Sequence, residues 1–307
     1  MLKTSVLYII GAIAVFLSLG WIYGERGRLL RGTTWTIMKA QGLKNMLNFR
    51  ATHAYLYGRW TAQYLFILRK YIIPRLGEKG RKKLADTYHG KVITHEQARS
   101  IITLNKNIPL RDLEQVIPYA TARDLVLAGP PDVVVFECPC RKSVEKSCKP
   151  SQVCMVIGKP FTDFLLDHNP EISRRLSQAE ALDILSQSHE RGHVHTAWFK
   201  DLMLNRFYGL CNCCKCCCGA TQGMMQFGVP WLTSSGYVAK VDASSCEACG
   251  TCEKSCHYNA ITVGEVAAVV WDKCMGCGVC EVKCPNQAMS LVRDEKKGVP
   301  FDVRAMV

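Results

Sequence analysis

Six cysteines crowd into eight positions, 211–218, within the stretch "GLCNCCKCCCGA" that runs from Gly209 to Ala220. In an extended chain Cys213 and Cys214 point to opposite faces, and in a helical turn they diverge by about 100°. A four-iron cube accepts only four thiolates, so this knot is expected to sit between two metal centres and contribute to both. The wider pattern agrees. The chain has 18 cysteines in 307 residues, none before Cys138. A disulfide scaffold spreads its cysteines through a small secreted fold, whereas these are bunched in a chain of ordinary size. Thiolate–metal chemistry is therefore the expectation.

Ten of the cysteines lie upstream: Cys138, Cys140, Cys148, Cys154, Cys211, Cys213, Cys214, Cys216, Cys217 and Cys218. Two [4Fe-4S] clusters need eight thiolates, which leaves two for hydrogen bonding, redox work or a less usual cluster. A zinc ion held by four of the ten stays open, as does the choice between one upstream cluster and two. The apolar, β-branched run Asp132 to Phe136 reads as a buried strand that delivers Cys138 and Cys140 at its end. Ser177 and Glu180 form a capping box for a helix reaching about Glu190, stopped by Gly192. The following "HVHTAWF" reads as a short polar link to the knot. His189, His193 and His195 read as satisfied or exposed, with a cluster ligand as the sharper alternative. Arg141 and Lys142 fit equally a counter-charge to a cluster and an ordinary surface.

Two C-terminal segments match at an offset of 28 residues: "CEACGTCEKSCHYNAITV" from Cys246 and "CMGCGVCEVKCPNQAMSL" from Cys274. Each has the spacing C-x2-C-x2-C-x3-C, which wraps one loop around three irons of a cube and sends its last cysteine elsewhere. Over roughly residues 238–292 this resembles the bacterial two-cluster ferredoxins. The resemblance implies one [4Fe-4S] cluster on Cys246, Cys249, Cys252 and Cys284, and a second on Cys274, Cys277, Cys280 and Cys256. One departure is His257 where the pattern has proline; it reads as an exposed replacement or as a hydrogen-bond donor near a cluster. The C-x-C-R … C-K-P … C block followed by "CNCCKCCCG" is similar to the cysteine-rich part of uncharacterised iron–sulfur proteins of anaerobic bacteria. That likeness implies electron transfer and no substrate.

The N-terminal third differs in kind. Ser5 to Tyr23 carry no charge over 19 positions, roughly 28 Å of helix, close to a bilayer's hydrocarbon thickness. Tyr8, Trp21 and Tyr23 suit its two interfaces. The formal net charge of +13 lies wholly within residues 1–91, and the remainder balances. Lys3 precedes the span, whereas Arg26, Arg28, Arg31, Lys39 and Lys44 follow it, so the body is expected in the cytoplasm. Residues 50–76 read as an interfacial helix or as a helix packed on the body.

The sequence thus predicts an α+β protein: a transmembrane anchor over 1–24 and a basic membrane-proximal helical region over 25–91. A cysteine-rich iron–sulfur domain follows over 92–237, then a βαβ-type 2[4Fe-4S] ferredoxin module over 238–307. No G-x-G-x-x-G, G-x-x-x-x-G-K-[ST] or C-x-x-C-H motif points to nucleotide or covalent haem, and no catalytic residue is legible. The expected function is a membrane-anchored relay of single electrons, a subunit of an oxidoreductase complex at the cell inner membrane. Its partners would be a soluble donor and a membrane or cytoplasmic redox protein, including a quinone-linked oxidoreductase; nucleic acid is not expected. The alternatives are a reductase whose cluster in 138–218 leaves an iron open to substrate, and a metal sensor or storage protein.

Overall fold

The strands Val194–Lys200 and Arg206–Cys213 form the central hairpin of the chain, and the first half of the cysteine knot is the end of its second strand. The computed structural model describes residues 2–42 and 49–307, with side chains from residue 9 onward. Nine strands build one sheet: β1 Tyr88–Ile93, β2 Ile108–Asp112, β3 Asp124–Leu127, β4 Val133–Glu137, β5 Gln152–Ile157, β6 Ser173–Leu176, β7 Val194–Lys200, β8 Arg206–Cys213 and β9 Leu232–Thr233. The main order is β6-β4-β5-β8-β7-β1-β9, with β2 and β3 attached beside β8. Most pairs are antiparallel, including β7 with β8 and β4 with β5.

Every residue of β7 is buried. "HVHTAWF" is therefore a central strand and not the polar link expected. Its histidines and threonine read as polar in sequence, but both faces of the sheet are covered here. On one face Ala197, Phe199, Phe207 and Leu210 join a core closed by the helices His95–Ile102 and Gln178–Glu190 and by Phe301 and Val303 of the C-terminal tail. On the other, Trp198, Tyr208 and Cys211 meet the N-terminal helices and the helices Phe161–His168 and Gly219–Phe227. The capping box at Ser177 and Glu180 forms as the sequence indicates, and Gly192 follows the helix with φ +77°.

Among the described residues no helix is long and apolar enough to cross a membrane. This overturns the transmembrane helix of the expected fold and, with it, the single-pass inner-membrane localisation. A helix does form over Leu2–Gly24, but protein packing takes up its last turn. Trp21 lies 4.9 Å from Tyr55, and Arg59 Nε donates to the Gly24 carbonyl. The next residue, Glu25, is fully buried and accepts from the Thr34 hydroxyl at 2.8 Å. Among the described side chains, the apolar residues from Ile9 to Leu19 are exposed. Of the residues used to orient that span, Lys3 and Tyr8 fall outside the described side chains and Lys44 outside the described residues.

Residues 50–76 take the packed arrangement. The helix Phe49–Arg59 buries Ala51, Ala54, Tyr55 and Tyr57. Its basic neighbours are partly neutralised within the fold: Arg26 pairs with Glu171 at 2.9 Å, Arg31 with Asp167, and Arg59 donates to Asn169 Oδ1 at 2.7 Å.

The C-terminal module repeats strand–helix–strand twice. β10 Tyr237–Val241 pairs antiparallel with β13 Met289–Arg293, and β11 Ile261–Val263 with β12 Ala267–Val269. Gly250 and Gly278 occupy equivalent left-handed positions, φ +74° and +78°, just before the helices Thr251–Ser255 and Val279–Lys283. Only glycine adopts that backbone without steric cost. Hydrogen bonds hold the module to the body, among them Lys283 Nζ to Glu190 O at 2.6 Å, Lys215 Nζ to Lys254 O at 2.9 Å, His257 Nε2 to Gly192 O at 3.0 Å and Ser235 Oγ to Gly276 O at 2.7 Å.

Buried histidines set an acid limit on this fold. Burial pushes His89 and His168 down to about 4 from their ordinary 6.5. Both are neutral in the folded chain, so the unfolded chain binds more protons between pH 6.5 and 4. Their contribution is complete above pH 6.5 and is lost as the pH falls towards 4, with a slope approaching about 1.4 kcal/mol per pH unit for each histidine. Denaturant midpoints measured at pH 7 and pH 5 are expected to fall on acidification. His89→Gln is expected to flatten that fall.

Candidate metal centres

Two small cavities in the C-terminal module, each of about 20 Å³, are lined by four cysteines apiece. One has Cys246, Cys249, Cys252 and Cys284, and the other Cys256, Cys274, Cys277 and Cys280. In each set three cysteines come from one loop and the fourth from the other repeat. Backbone N–H groups aim at the sulfurs: Ala260 to Cys256 at 3.2 Å, Ala288 to Cys284 at 3.3 Å, Ala267 to Cys246 and Ala239 to Cys274 at 3.4 Å. Such donors stabilise thiolate over thiol and tune a cluster's potential. Cys249 is exposed, whereas Cys256, Cys274 and Cys280 are buried. The first set thus lies at the surface and the second faces the body.

The ten upstream cysteines divide into four and six. Cys148, Cys214, Cys216 and Cys217 bring their sulfurs within 4.8 Å of one another. Cys216 and Cys217 are 3.4 Å apart at sulfur, and the Cys148 N–H meets the Cys217 sulfur at 3.5 Å. A Zn–S bond of about 2.3 Å gives a tetrahedral edge of about 3.8 Å, which this group matches. A cube spreads its thiolates over four different irons, and among the described residues the C-terminal cysteines form no group this tight.

The other six, with Cys214 of the tight group at the edge they share, line one much larger cavity of about 120 Å³. The Cys138 thiol acts on those of Cys140 and Cys154, Cys211 acts on Cys154, and Cys218 on Cys213. Cys140 faces Cys218, which completes a ring. The local chain explains the division. Cys211 and Cys213 are alternate residues of β8 and share a face, with Asn212 on the other. The chain then turns, and Cys218 becomes the residue before the helix Gly219–Phe227. Contact with Cys213 pulls the Cys218 thiol below the usual range, and Thr221 beside it adds to the effect. Cys138 opens the short helix Pro139–Lys142 in the same way, and its contacts with Cys140 and Cys154 hold its thiol well below the usual range.

Arg141 lies between the two sets. Its side chain is 1% exposed, and the charges acting on it are Cys214, Cys138 and Cys154. It donates to the carbonyls of Pro150 and Asn212, faces His193 Nδ1 at 3.5 Å, and has no partner for Nε. A buried guanidinium needs a counter-charge, and the thiolates supply it. Lys142 is different: it is half-exposed and pairs with Glu137 at 3.3 Å. Sequence could not separate these adjacent cations; burial does.

The cavity's apolar wall includes three tyrosines that no motif signals. Tyr57 and Tyr208 share a hydrogen bond of 2.6 Å, and Tyr57 donates to Tyr88 at 3.4 Å. Burial raises all three phenols above their ordinary value, so they keep their protons. Tyr258 was also missed. It is 2% exposed, and the sulfurs of Cys256 and Cys277 and those of Cys213 and Cys218 all act on it. His257, read from sequence as exposed or as a donor, is buried at 5% and held by Gly192. Burial lowers it to about 4 and keeps it neutral. Of the three histidines before the knot, His193 faces Arg141, whereas His189 and His195 meet His95 across the sheet.

A family model described as 4Fe-4S binding domain matches residues 267–290. Those residues hold Cys274, Cys277, Cys280 and Cys284, the second of the two repeats. Among curated proteins nothing matches the chain.

Proposed function

The chain is an iron–sulfur protein with a 4Fe-4S binding domain near its C-terminus, and from that premise we propose that it relays single electrons inward to a buried third cluster. Electrons enter from a soluble donor protein at the cluster on Cys246, Cys249, Cys252 and Cys284. They pass to the cluster on Cys256, Cys274, Cys277 and Cys280, and then to a cluster of at least four irons in the six-cysteine ring. The tight group of Cys148, Cys214, Cys216 and Cys217 holds one zinc ion, which pins the turn of the knot.

The observation that carries this reading is Tyr258, buried in one core with Cys256 and Cys277 of the C-terminal module and Cys213 and Cys218 of the upstream set, all four of which act on it. The two sets of thiols belong to one continuous core, so no water layer parts them. A substrate-reducing role has one observation in its favour. The ring cavity is about 120 Å³, against about 20 Å³ for each C-terminal cavity, which leaves room beside a cube for a small apolar molecule. The buried phenols at its wall would then be proton donors, as catalytic sites require.

The relay is tested by freeze-quenching the full chain after mixing with less than one equivalent of reductant. The C-terminal signals are expected to appear first and to pass to the upstream cluster. Tyr258→Ala is expected to slow that transfer with iron content unchanged. Upstream reduction at the same rate in the variant would overturn the route.

A further inference from the structure

We infer that His95, His189 and His195 form a separate binding site for a divalent transition-metal ion of the zinc type, with a fourth coordination position open to solvent. The three come from three elements: the start of the helix His95–Ile102, the last turn of the helix Gln178–Glu190, and β7. One ring nitrogen from each lies within 4.8 Å of the others. His95 Nδ1 and His195 Nε2 are 3.3 Å apart. Zn–N bonds of about 2.0–2.1 Å give a tetrahedral edge of about 3.3–3.4 Å, so this pair already has the span of two ligands on one ion. His189 lies against His95 with ring centroids 4.3 Å apart, near enough for its nitrogen to reach the same point.

The hydrogen bonds decide which nitrogen is free. Asn212 Nδ2 donates to the Val153 carbonyl at 2.8 Å, which turns its Oδ1 toward His195. His195 Nδ1 lies 2.6 Å from that oxygen and must be the protonated nitrogen. Its Nε2 therefore carries the lone pair that faces His95. This is how metal-binding histidines are held, with the second ring nitrogen fixed by a protein acceptor. His195 is fully buried, whereas His95 and His189 are partly exposed, so one side of the group opens to water. That is the three-histidine pattern of catalytic zinc, with a water or substrate in the fourth place. Burial also keeps the three rings neutral near pH 7, the form that binds metal.

The site is independent of the cysteine assignments, since all its ligands are nitrogens. It is nevertheless tied to them through one strand. Asn212 stands between Cys211 and Cys213, so β8 offers thiols to the ring cavity on one face and the histidine site's supporting amide on the other.

The test is cobalt(II) added to the anaerobically purified full chain with its iron–sulfur clusters in place. One additional cobalt per chain is expected, with ligand-field absorption and no thiolate-to-metal charge-transfer band. His95→Gln and His189→Gln, both at partly exposed positions, are expected to abolish that binding with iron content unchanged. Asn212→Ala is expected to weaken it by about 10–100-fold. Cobalt that shows thiolate bands, or binding unaltered in both histidine variants, would overturn the proposal. So would the absence of any additional cobalt.

Discussion

Replacing Arg141 by methionine is expected to destabilise the chain by about 3–5 kcal/mol, the cost of leaving one member of a buried charge set unpaired. The guanidinium is 1% exposed and has thiolates of both upstream cysteine sets as its charged neighbours. Methionine fills similar volume, so the loss reports charge and not a cavity. Arg141→Lys is not expected to restore stability, because one ammonium cannot reach both carbonyls and both thiolate groups at once. Denaturant unfolding under anaerobic conditions checks both variants. Equal stability in Arg141→Met would mean that the neighbouring sulfurs carry no net negative charge.

Cys138→Ser is the second large effect. Cys138 stands beside Cys140 and Cys154 in the ring, and those two contacts and Arg141 hold its thiol well below the usual range. A serine oxygen is a hard and weakly acidic ligand, poorly suited to a site that selects soft thiolates. The variant is expected to lose the upstream cluster, about four irons per chain, because it removes the thiol that Cys140 and Cys154 both contact. The EPR signals of the two C-terminal clusters are expected to remain. Cys249→Ser is the matched control, since Cys249 is exposed in the other module, and it is expected to perturb only a C-terminal signal.

The C-terminal module was legible because its cysteines are local in sequence: C-x2-C-x2-C-x3-C twice, with Gly250 and Gly278 at matched turns. The capping box at Ser177 and Glu180 and the strand after "GPP" were legible for the same reason. The division of the ten upstream cysteines was not. It depends on where β8 ends, since Cys211 and Cys213 follow strand alternation whereas Cys214 to Cys217 lie in a turn. Periodicity cannot locate that break within two residues. His95 and the three cavity tyrosines come from elements far away in the chain, so no spacing announces them. The apolar run near the N-terminus misled for a different reason: its last turn serves the protein core, through Trp21 on Tyr55 and the buried Glu25.

The charge asymmetry has a similar resolution. Arg26, Arg31 and Arg59 belong to the basic first third, and each is bonded to a residue of the segment from Asp167 to Glu171. Part of the positive excess therefore serves to hold the N-terminal helices against the sheet. Partly exposed pairs of this kind contribute little each, on the order of 0–1 kcal/mol, but they fix the register of the helices over the ring cavity.

The central claim is that the upstream cysteines hold one redox cluster and one zinc ion, and that the chain relays electrons to that cluster. Iron, sulfide and zinc per chain, measured on anaerobically purified protein, test it most directly. At least twelve irons with matching sulfide and at least one zinc are the predicted result, eight of the irons belonging to the C-terminal module. Eight irons would leave no upstream cluster for electrons to reach and would contradict the account.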